Sequence, residues 1–335
     1  MSGARDVHQA ALIEAAHRLG VEVDDWLEET GGDLVTYSHG GRSVRIWKGR
    51  FDDRLTAKSH FVTDDKHLTK TMLRRSGILA PEGIEFELGD GVATVEPAVR
   101  AQMSIDAPDG WVLKPKFGEY GRAILIGVET ADEAMAHLRA HGEWNDWMLE
   151  RFAPGDDLRI QIIGHELAAA CIRRPAFVTG DGSSTLEALF ERRRVEAARP
   201  NPHNRLEFDE ETRRMLRAQR IEMSDVPEAG REVVLKSTAN MAKGGIAIDV
   251  TDELHAGYGD WCREISELFE MEICAIDAVA ADRSAPPHAH ATVIEVNSVP
   301  DWLHHTFSER RQHDIPRRIL EYLLDTDLSE SGGRA

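Results

Sequence analysis

Apolar residues recur at helical spacing over residues 6–19, where Val7, Ala11, Leu12, Ala15, Ala16 and Leu19 share a face and Gly20 follows as a stop. Leu34–Tyr37 and Val44–Trp47 read as strands joined by the glycine turn His39-Gly40-Gly41-Arg42. Thr63-Asp64-Asp65 caps a helix whose apolar face is expected to hold Leu68, Met72 and Leu73, with Gly77 ending it. Pro81 opens an extended stretch. The strands Trp111–Leu113 and Ala123–Val128 precede a helix at 130–141 and the strand Trp147–Glu150. In the second half, Ile160–Ile163 and Leu167–Ile172 form a hairpin across Gly164-His165, and helices follow at 183–196 and 209–219. Val233–Lys236 and Ile246–Val250 are strands around a glycine-bearing loop. A helix at 258–270, the strands Ile273–Val279 and Thr292–Val296, a loop at Asp282–His290 and a last helix at 314–324 complete the pattern. The chain is therefore α+β and built of several small mixed lobes. The polar end, Ser329–Ala335, is expected to fray.

The 335 residues exceed one small core and fit two or three lobes, and a hydrophobic fraction of 41% excludes whole-chain disorder. Forty Lys and Arg stand against 59 Asp and Glu, a net charge of −19. That balance argues against sequence-independent nucleic-acid binding and against anionic membrane surfaces. An anionic substrate would need a local cluster of cations. Cys171, Cys262 and Cys274 have no paired spacing, so neither a disulfide framework nor a zinc knuckle is expected, and buried thiols in a reducing compartment are. With no signal-peptide core and no long apolar run, the expectation is a cytoplasmic protein.

Three constellations carry chemistry. The first is Lys114-Pro115-Lys116-Phe117-Gly118-Glu119-Tyr120-Gly121-Arg122. Glycines let backbone approach phosphate oxygens and lysines neutralise them, yet this is neither a Walker loop nor a dinucleotide fingerprint. It fits a glycine-rich flap between two strands; standing alone it reads rather as an ordinary hairpin turn. The second is acidic. Asp277 interrupts an apolar strand, and Glu295 and Asn297 alternate on Val293–Asn297, so both face one side. Alone, Asp277 reads as half of a salt bridge; the trio reads as an all-oxygen site suited to Mg²⁺. The third, Glu150–Arg159, runs an apolar strand into Pro154-Gly155 as a hinge, with Asp157 beyond it. Without the other two it is merely a turn.

In this order the constellations resemble an ATP-grasp ligase, and residues from about 62 to 324 resemble the ATP-grasp modules of cyanophycin synthetase and bifunctional glutathione synthetase. Asp65–Lys70 is similar to the entry into the module and Val112-Leu113-Lys114-Pro115 to its phosphate-binding strand. Arg174–Thr185 looks like the "R-x-P-A-x-V-x-G-D-G-x-x-T" segment with one residue fewer between Arg and Pro. Asn240–Glu253 follows "N-x-x-x-G-G-x-A-I-D-V-T-D-E", and Ile294-Glu295-Val296-Asn297 resembles the metal strand. The resemblance implies an ATP-grasp fold of two α+β lobes gripping ATP. It divides the chain into a short N-terminal α/β segment (1–62), a first lobe with lid and flap (63–155), a C-terminal lobe with the metal site (156–326) and a flexible tail (327–335).

It also implies roles. ATP would be held by Lys66, Lys114, Lys116, Gly118, Gly121 and Arg122, by the hinge backbone of Glu150 and Phe152, and by Asp157 at the ribose. Asp277, Glu295 and Asn297 would bind Mg²⁺, with Mn²⁺ as a substitute. Lys236, Arg159 and Asn240 would be catalytic. The implied reaction joins a small carboxylate and an amine, amino acid or short peptide, through an acyl phosphate. The partners are these small molecules, with no nucleic acid and no membrane, and a homodimer is compatible. A macrocyclase or intramolecular cyclo-ligase of the same fold, and a nucleotide-binding regulator without turnover, are the competing readings. Glu119 departs from the small polar residue usual in the flap, and the N-terminal segment is unlike the large N-terminal domains of either relative. Three weaker signals stay open: His288-Ala289-His290 as metal ligands or a solvated face, Arg192-Arg193-Arg194 as helix-surface pairs or an anion patch, and His304-His305 as substrate contacts or a surface loop.

Overall fold

The computed structural model describes residues 4–89, 91–117, 122–198 and 205–328. The chain opens with α1 (Val7–Leu19), capped by Asp6 at its start and by left-handed Gly20 at its end. Then come β1 (Glu22–Asp25), the single turn α2 (Leu27–Thr30), β2 (Leu34–His39), β3 (Arg42–Trp47) and β4 (Phe51–Asp52). These strands form an antiparallel sheet in the order β1-β2-β3-β4. As expected, β2 and β3 pair across the glycine turn, with Val35 opposite Ile46 and Tyr37 opposite Val44 on the buried face.

Next are α3 (Ala57–Asp64), α4 (Lys66–Arg75), β5 (Gly83–Glu87), α5 (Glu96–Met103), β6 (Trp111–Pro115), β7 (Leu125–Val128), α6 (Ala131–Ala140) and β8 (Asp146–Arg151). The four strands make a sheet ordered β5-β8-β6-β7, with α5 and α6 over a core that includes Val99, Trp111, Leu113, Leu138 and Trp147. A Thr130–Glu133 capping box fixes the start of α6.

The remainder holds β9 (Asp156–Ile163), β10 (Glu166–Arg174), β11 (Phe177–Thr179), α7 (Leu186–Ala198), α8 (Glu210–Ala218), β12 (Glu232–Val234), β13 (Ile246–Asp249), α9 (Tyr258–Leu268), β14 (Ile273–Ala280), the turn α10 (Pro287–His290), β15 (Ala291–Asn297) and α11 (Ile315–Leu324). The central sheet is antiparallel in the order β13-β10-β9-β14-β15. Leu158, Ile160 and Ile162 of β9 alternate with Ile276 and Ala278 of β14 in one core with α9 and Leu73 of α4. Ile163, Ala168 and Ala169 instead join a second core with α1, the first sheet and α11, so the N-terminal segment is stitched to the C-terminal helix. The two-stranded β11–β12 sheet carries α7 and α8 on a core of its own.

Val233–Lys236 and Ile246–Val250 were expected around one loop; β12 pairs with β11, whereas β13 lies on the edge of the central sheet against β10. The helices α3 and α5 were not expected. In α3 the buried residues are Ser59 and Thr63, so no apolar stripe announces it, and α5 begins with a proline in its first turn. In α4 the expected face is rotated: Leu68 is exposed, while Lys66, Thr69, Lys70 and Leu73 are buried.

A site between two sheets

The polar face of the central sheet is set by strand alternation. Asp157, Arg159 and Gln161 share one side of β9 because Leu158, Ile160 and Ile162 occupy the other. Arg159 lies opposite Asp277 on β14, and Asp277 lies opposite Glu295 on β15. Between Asp277 and Ala278 the ladder shifts by one residue, leaving Ile294 as the extra member of a β-bulge. Val293 and Val296 both stay in the core while Glu295 and Asn297 both face the site.

Asp277 is buried between two guanidinium groups. Arg159 Nη1 donates to Oδ1 at 2.8 Å and Arg173 Nη1 to Oδ2 at 3.2 Å, with the Asn297 amide 3.4 Å from Oδ2. Burial acts to raise the Asp277 pKa, but the two arginines outweigh it and hold the group below the usual carboxylate range. The other fork of Arg173 donates to Asp157 Oδ1 at 2.7 Å. Arg173 was not among the expected site residues. The reason is one of register: started at Arg173 rather than Arg174, the segment Arg173-Arg174-Pro175-Ala176 has the spacing R-x-P-A without a missing residue. Arg174 points elsewhere, to Glu232 at 2.6 Å.

Facing this sheet is a lysine cluster. The helix α4 packs on β15 and extends to β8, so Lys66 Nζ lies 3.3 Å from Glu295 while Lys70 pairs with Glu150. Lys114 of β6 meets the same Glu150 carboxylate at 2.5 Å, and Lys116 bridges Asp65 (2.9 Å) and Glu85 (2.7 Å). Burial acts against the Glu150 charge, yet Lys114 and Lys70 hold its pKa low. For Lys70, burial and then the charge of Lys114 push the pKa down. Lys114 is opposed by burial too, but Glu150 outweighs it and raises the pKa. Glu150 was expected to offer hinge backbone; its side chain is the anion of this cluster, and it has register partners in both neighbouring strands, Gly83 and Val112. Lys70 was unforeseen because it sat on the polar side of the expected helix face.

At the hinge, the Phe152 N–H donates to Gly110 O at 3.0 Å. Gly155 has φ 144°, and a Cβ there would lie 2.3 Å from Ala280 O, so only glycine fits this approach to β14. Arg122 lies over Trp144 at 6.0 Å. Gly118, Glu119 and Gly121 fall outside the described residues. Lys236 lies at the start of α8, and Asn240 caps the turn Met241–Lys243. Lys236 Nζ is 2.7 Å from Asp209, which it helps to hold down to about 2 against the opposing effect of burial, and 3.0 Å from Glu207 O. The Asn240 side chain accepts from the Ala242 N–H at 2.8 Å.

The open signals resolve in different directions. His288 pairs with Glu264 at an exposed position. Arg192, Arg193 and Arg194 pair with Asp181, with Glu196 and Glu309, and with Glu191. His304 and His305 are buried rather than on a surface loop, and burial lowers both pKa values. His304 Nδ1 lies 2.7 Å from Asp301 O, and Asp301 also meets His8 at 2.9 Å. All three cysteines are buried and free. A cleft of about 540 Å³ between residues 103–111 and 127–129 has Asp106, Asp109 and Glu129 in its lining and no Lys or Arg, which suits it poorly to phosphate.

Among the described residues, no three His, Cys, Asp or Glu side chains converge as a metal cluster. The trio Asp277, Glu295 and Asn297 has two carboxylates and an amide, brought onto adjacent strands. Such a hard-oxygen set, surrounded by groups fit for phosphate, suits Mg²⁺ shared with a nucleotide. No helix among the described residues is long and apolar enough to cross a membrane.

No family model matches the chain. It is 32% identical over 315 residues to a cyanophycin synthetase of Geminocystis herdmanii, covering 90% of this chain and 34% of that protein. It is 30% identical over 315 residues to a glutathione biosynthesis bifunctional protein of Mannheimia succiniciproducens, covering 89% of this chain and 40% of the other. The chain thus spans little more than a third of the length of the curated relatives it matches. A crystal structure of a bifunctional glutathione synthetase from Pasteurella multocida superposes with a TM-score of 0.72 at 21% identity, over 96% of this chain and 43% of that one. The chain has the ATP-grasp fold and is similar in sequence to these synthetases.

Proposed function

We propose that the chain is an ATP-dependent carboxylate–amine ligase that joins small amino acids or short peptides through an amide bond and releases ADP and phosphate. The observation that supports this reading is the shared polar face on which the oxygen donors Asp277, Glu295 and Asn297 adjoin Arg159, Arg173, Lys66 and Lys114. In this reading Lys66, Lys114 and Lys116 exchange their carboxylate partners for nucleotide phosphates. Gly118, Gly121 and Arg122 are assigned to the phosphates, Asp157 to the ribose, and the hinge backbone of Glu150 and Phe152 to the base. Asp277, Glu295 and Asn297 hold Mg²⁺ or Mn²⁺, which would supply charge neutralisation of the triphosphate and in-line alignment of its γ-phosphoryl group.

An oxygen of the acid substrate forms a bond to the γ-phosphorus as the bond to the ADP oxygen breaks, giving an acyl phosphate. The amine nitrogen then bonds to the acyl carbon, phosphate departs with the C–O electron pair, and the amine loses a proton. Arg159 offsets the charge that develops during transfer, and Lys236 and Asn240 serve the amine side. The partners are two small molecules in the cytoplasm, with no nucleic acid and no membrane, to which a net charge of −19 is poorly suited, and a homodimer is compatible with the reading.

The test is ADP release across a matrix of carboxylates and amines, with product masses determined. At least one pair should give ADP and amide in equal amounts. ADP from no pair, in a protein that binds ATP, would replace the ligase with a nucleotide-binding regulator.

A further inference from the structure

Both oxygens of Asp277 are engaged by arginines, and one of those arginines is also held by Asp157. With the Asn297 amide also 3.4 Å from Oδ2, both lone-pair directions of that oxygen are taken, so a cation reaches Oδ2 only if the Arg173 or the Asn297 contact yields. The two contacts are unequal. Arg159 is the cross-strand neighbour of Asp277 and the shorter contact at 2.8 Å, whereas Arg173 reaches from β10, one strand further away, at 3.2 Å. The Arg173–Asp157 contact is the tighter of its two, at 2.7 Å. Arg173 is therefore anchored at Asp157 and more loosely engaged at Asp277. Its side chain remains one-fifth exposed.

We propose that Arg173 is a positioning residue acting as a displaceable counter-ion. It neutralises Asp277 before the metal arrives, yields that contact to the metal, and, still tethered to Asp157, offers the released N–H to a nucleotide phosphate. This rests on the reading of Asp277 as a metal group and Asp157 as a nucleotide group. The charges balance in both states: the guanidinium is compensated by Asp277 in the first and by phosphate in the second.

The proposal predicts effects of opposite sign. In R173Q, Mg²⁺ binding without nucleotide, followed by titration calorimetry, becomes severalfold tighter because a competing cation is gone. ATP binding becomes about tenfold weaker because a charge-assisted contact is lost. A purely supporting role behind the metal ligand would instead weaken metal binding by about 10–100-fold. R173K, which keeps the charge and loses the fork, guards against misfolding of the first variant and should leave metal affinity near that of the unsubstituted protein while weakening ATP. Metal affinity lowered in R173Q, or ATP affinity unchanged in both variants, overturns the proposal. A parent protein that binds neither Mg²⁺ nor ATP overturns the site reading and this proposal with it; intact binding with the wrong signs overturns this proposal alone.

Discussion

Two buried carboxylates in this molecule are built on the same plan, one anion between two cations, and differ in which cations were used. Glu150 sits between Lys70 and Lys114 in the first lobe, and Asp277 between Arg159 and Arg173 on the central sheet. Lysine can shed its proton when burial outweighs its partner; arginine cannot at any pH the fold survives. Burial and the neighbouring Lys114 already push Lys70 down, whereas on the sheet the arginines hold Asp277 ionised against burial. The first cluster can therefore relieve excess positive charge by releasing a proton. The second already shares its arginines between Asp277 and Asp157 and keeps their charge fixed, so its balance changes only by exchanging one anion for another.

The largest effect should fall on the side of the sheet where chemistry is proposed. Glu295→Gln keeps shape and removes a metal-facing charge; turnover should fall by about two orders of magnitude or more while the melting temperature barely moves, as checked by ADP release and thermal denaturation. Turnover close to that of the parent would show that β15 does not carry the metal.

Next come the central anions themselves. Glu150→Gln takes that partner from both Lys70 and Lys114 and should cost about 3–5 kcal/mol in denaturant unfolding near pH 7, whereas Asp277→Asn takes it from Arg159 while Arg173 keeps Asp157 and should cost less. Their pH dependence should then separate them. Without Glu150 the lysines have folded-state pKa values below their unfolded value of about 10.4, so the folded chain binds fewer protons and stability recovers as pH rises toward that value. Without Asp277 the arginines stay charged and no comparable recovery follows. Parallel pH profiles for the two variants would erase the distinction drawn here.

The same distinction predicts a smaller effect in the parent. Because the Lys70 pKa is lowered in the fold, its contribution to stability increases as pH climbs from the folded to the unfolded pKa and is absent below both. Lys70→Met should flatten the alkaline side of the stability profile. Least of all, Arg194→Ala, which breaks an exposed pair with Glu191, should leave the unfolding midpoint where it was within the error of the measurement, a control for charge loss without burial.

The paired elements with regular alternation or clean caps were legible in the sequence: α1 with Gly20, the β2–β3 and β9–β10 hairpins, α6, and the strands bearing Asp277 and Glu295. What escaped was set by distant packing. Nothing local tells α4 to bury Lys70, since that face is defined by Glu150, eighty residues on. Nothing local joins α1 to α11, which meet through the same core from opposite ends of the chain. Of the candidate site, Lys66, Lys114, Arg159, Asp277, Glu295 and Asn297 come together around one face, while Lys236 pairs at the start of α8 and Asn240 caps the turn Met241–Lys243. Arg173 was hidden by a one-residue slip between two adjacent arginines that look alike in sequence and have unrelated partners.

The extra residue at Ile294 gives β15 two reading frames. Before it, odd positions face the packed interior; after it, odd positions face the polar side. Structure is written in the first frame and chemistry in the second, and the join falls between them. Either half can drift in sequence without dragging the other onto the wrong face, so the strand can acquire new side chains beside Glu295 and Asn297 while Ala291 and Val293 keep the interior closed.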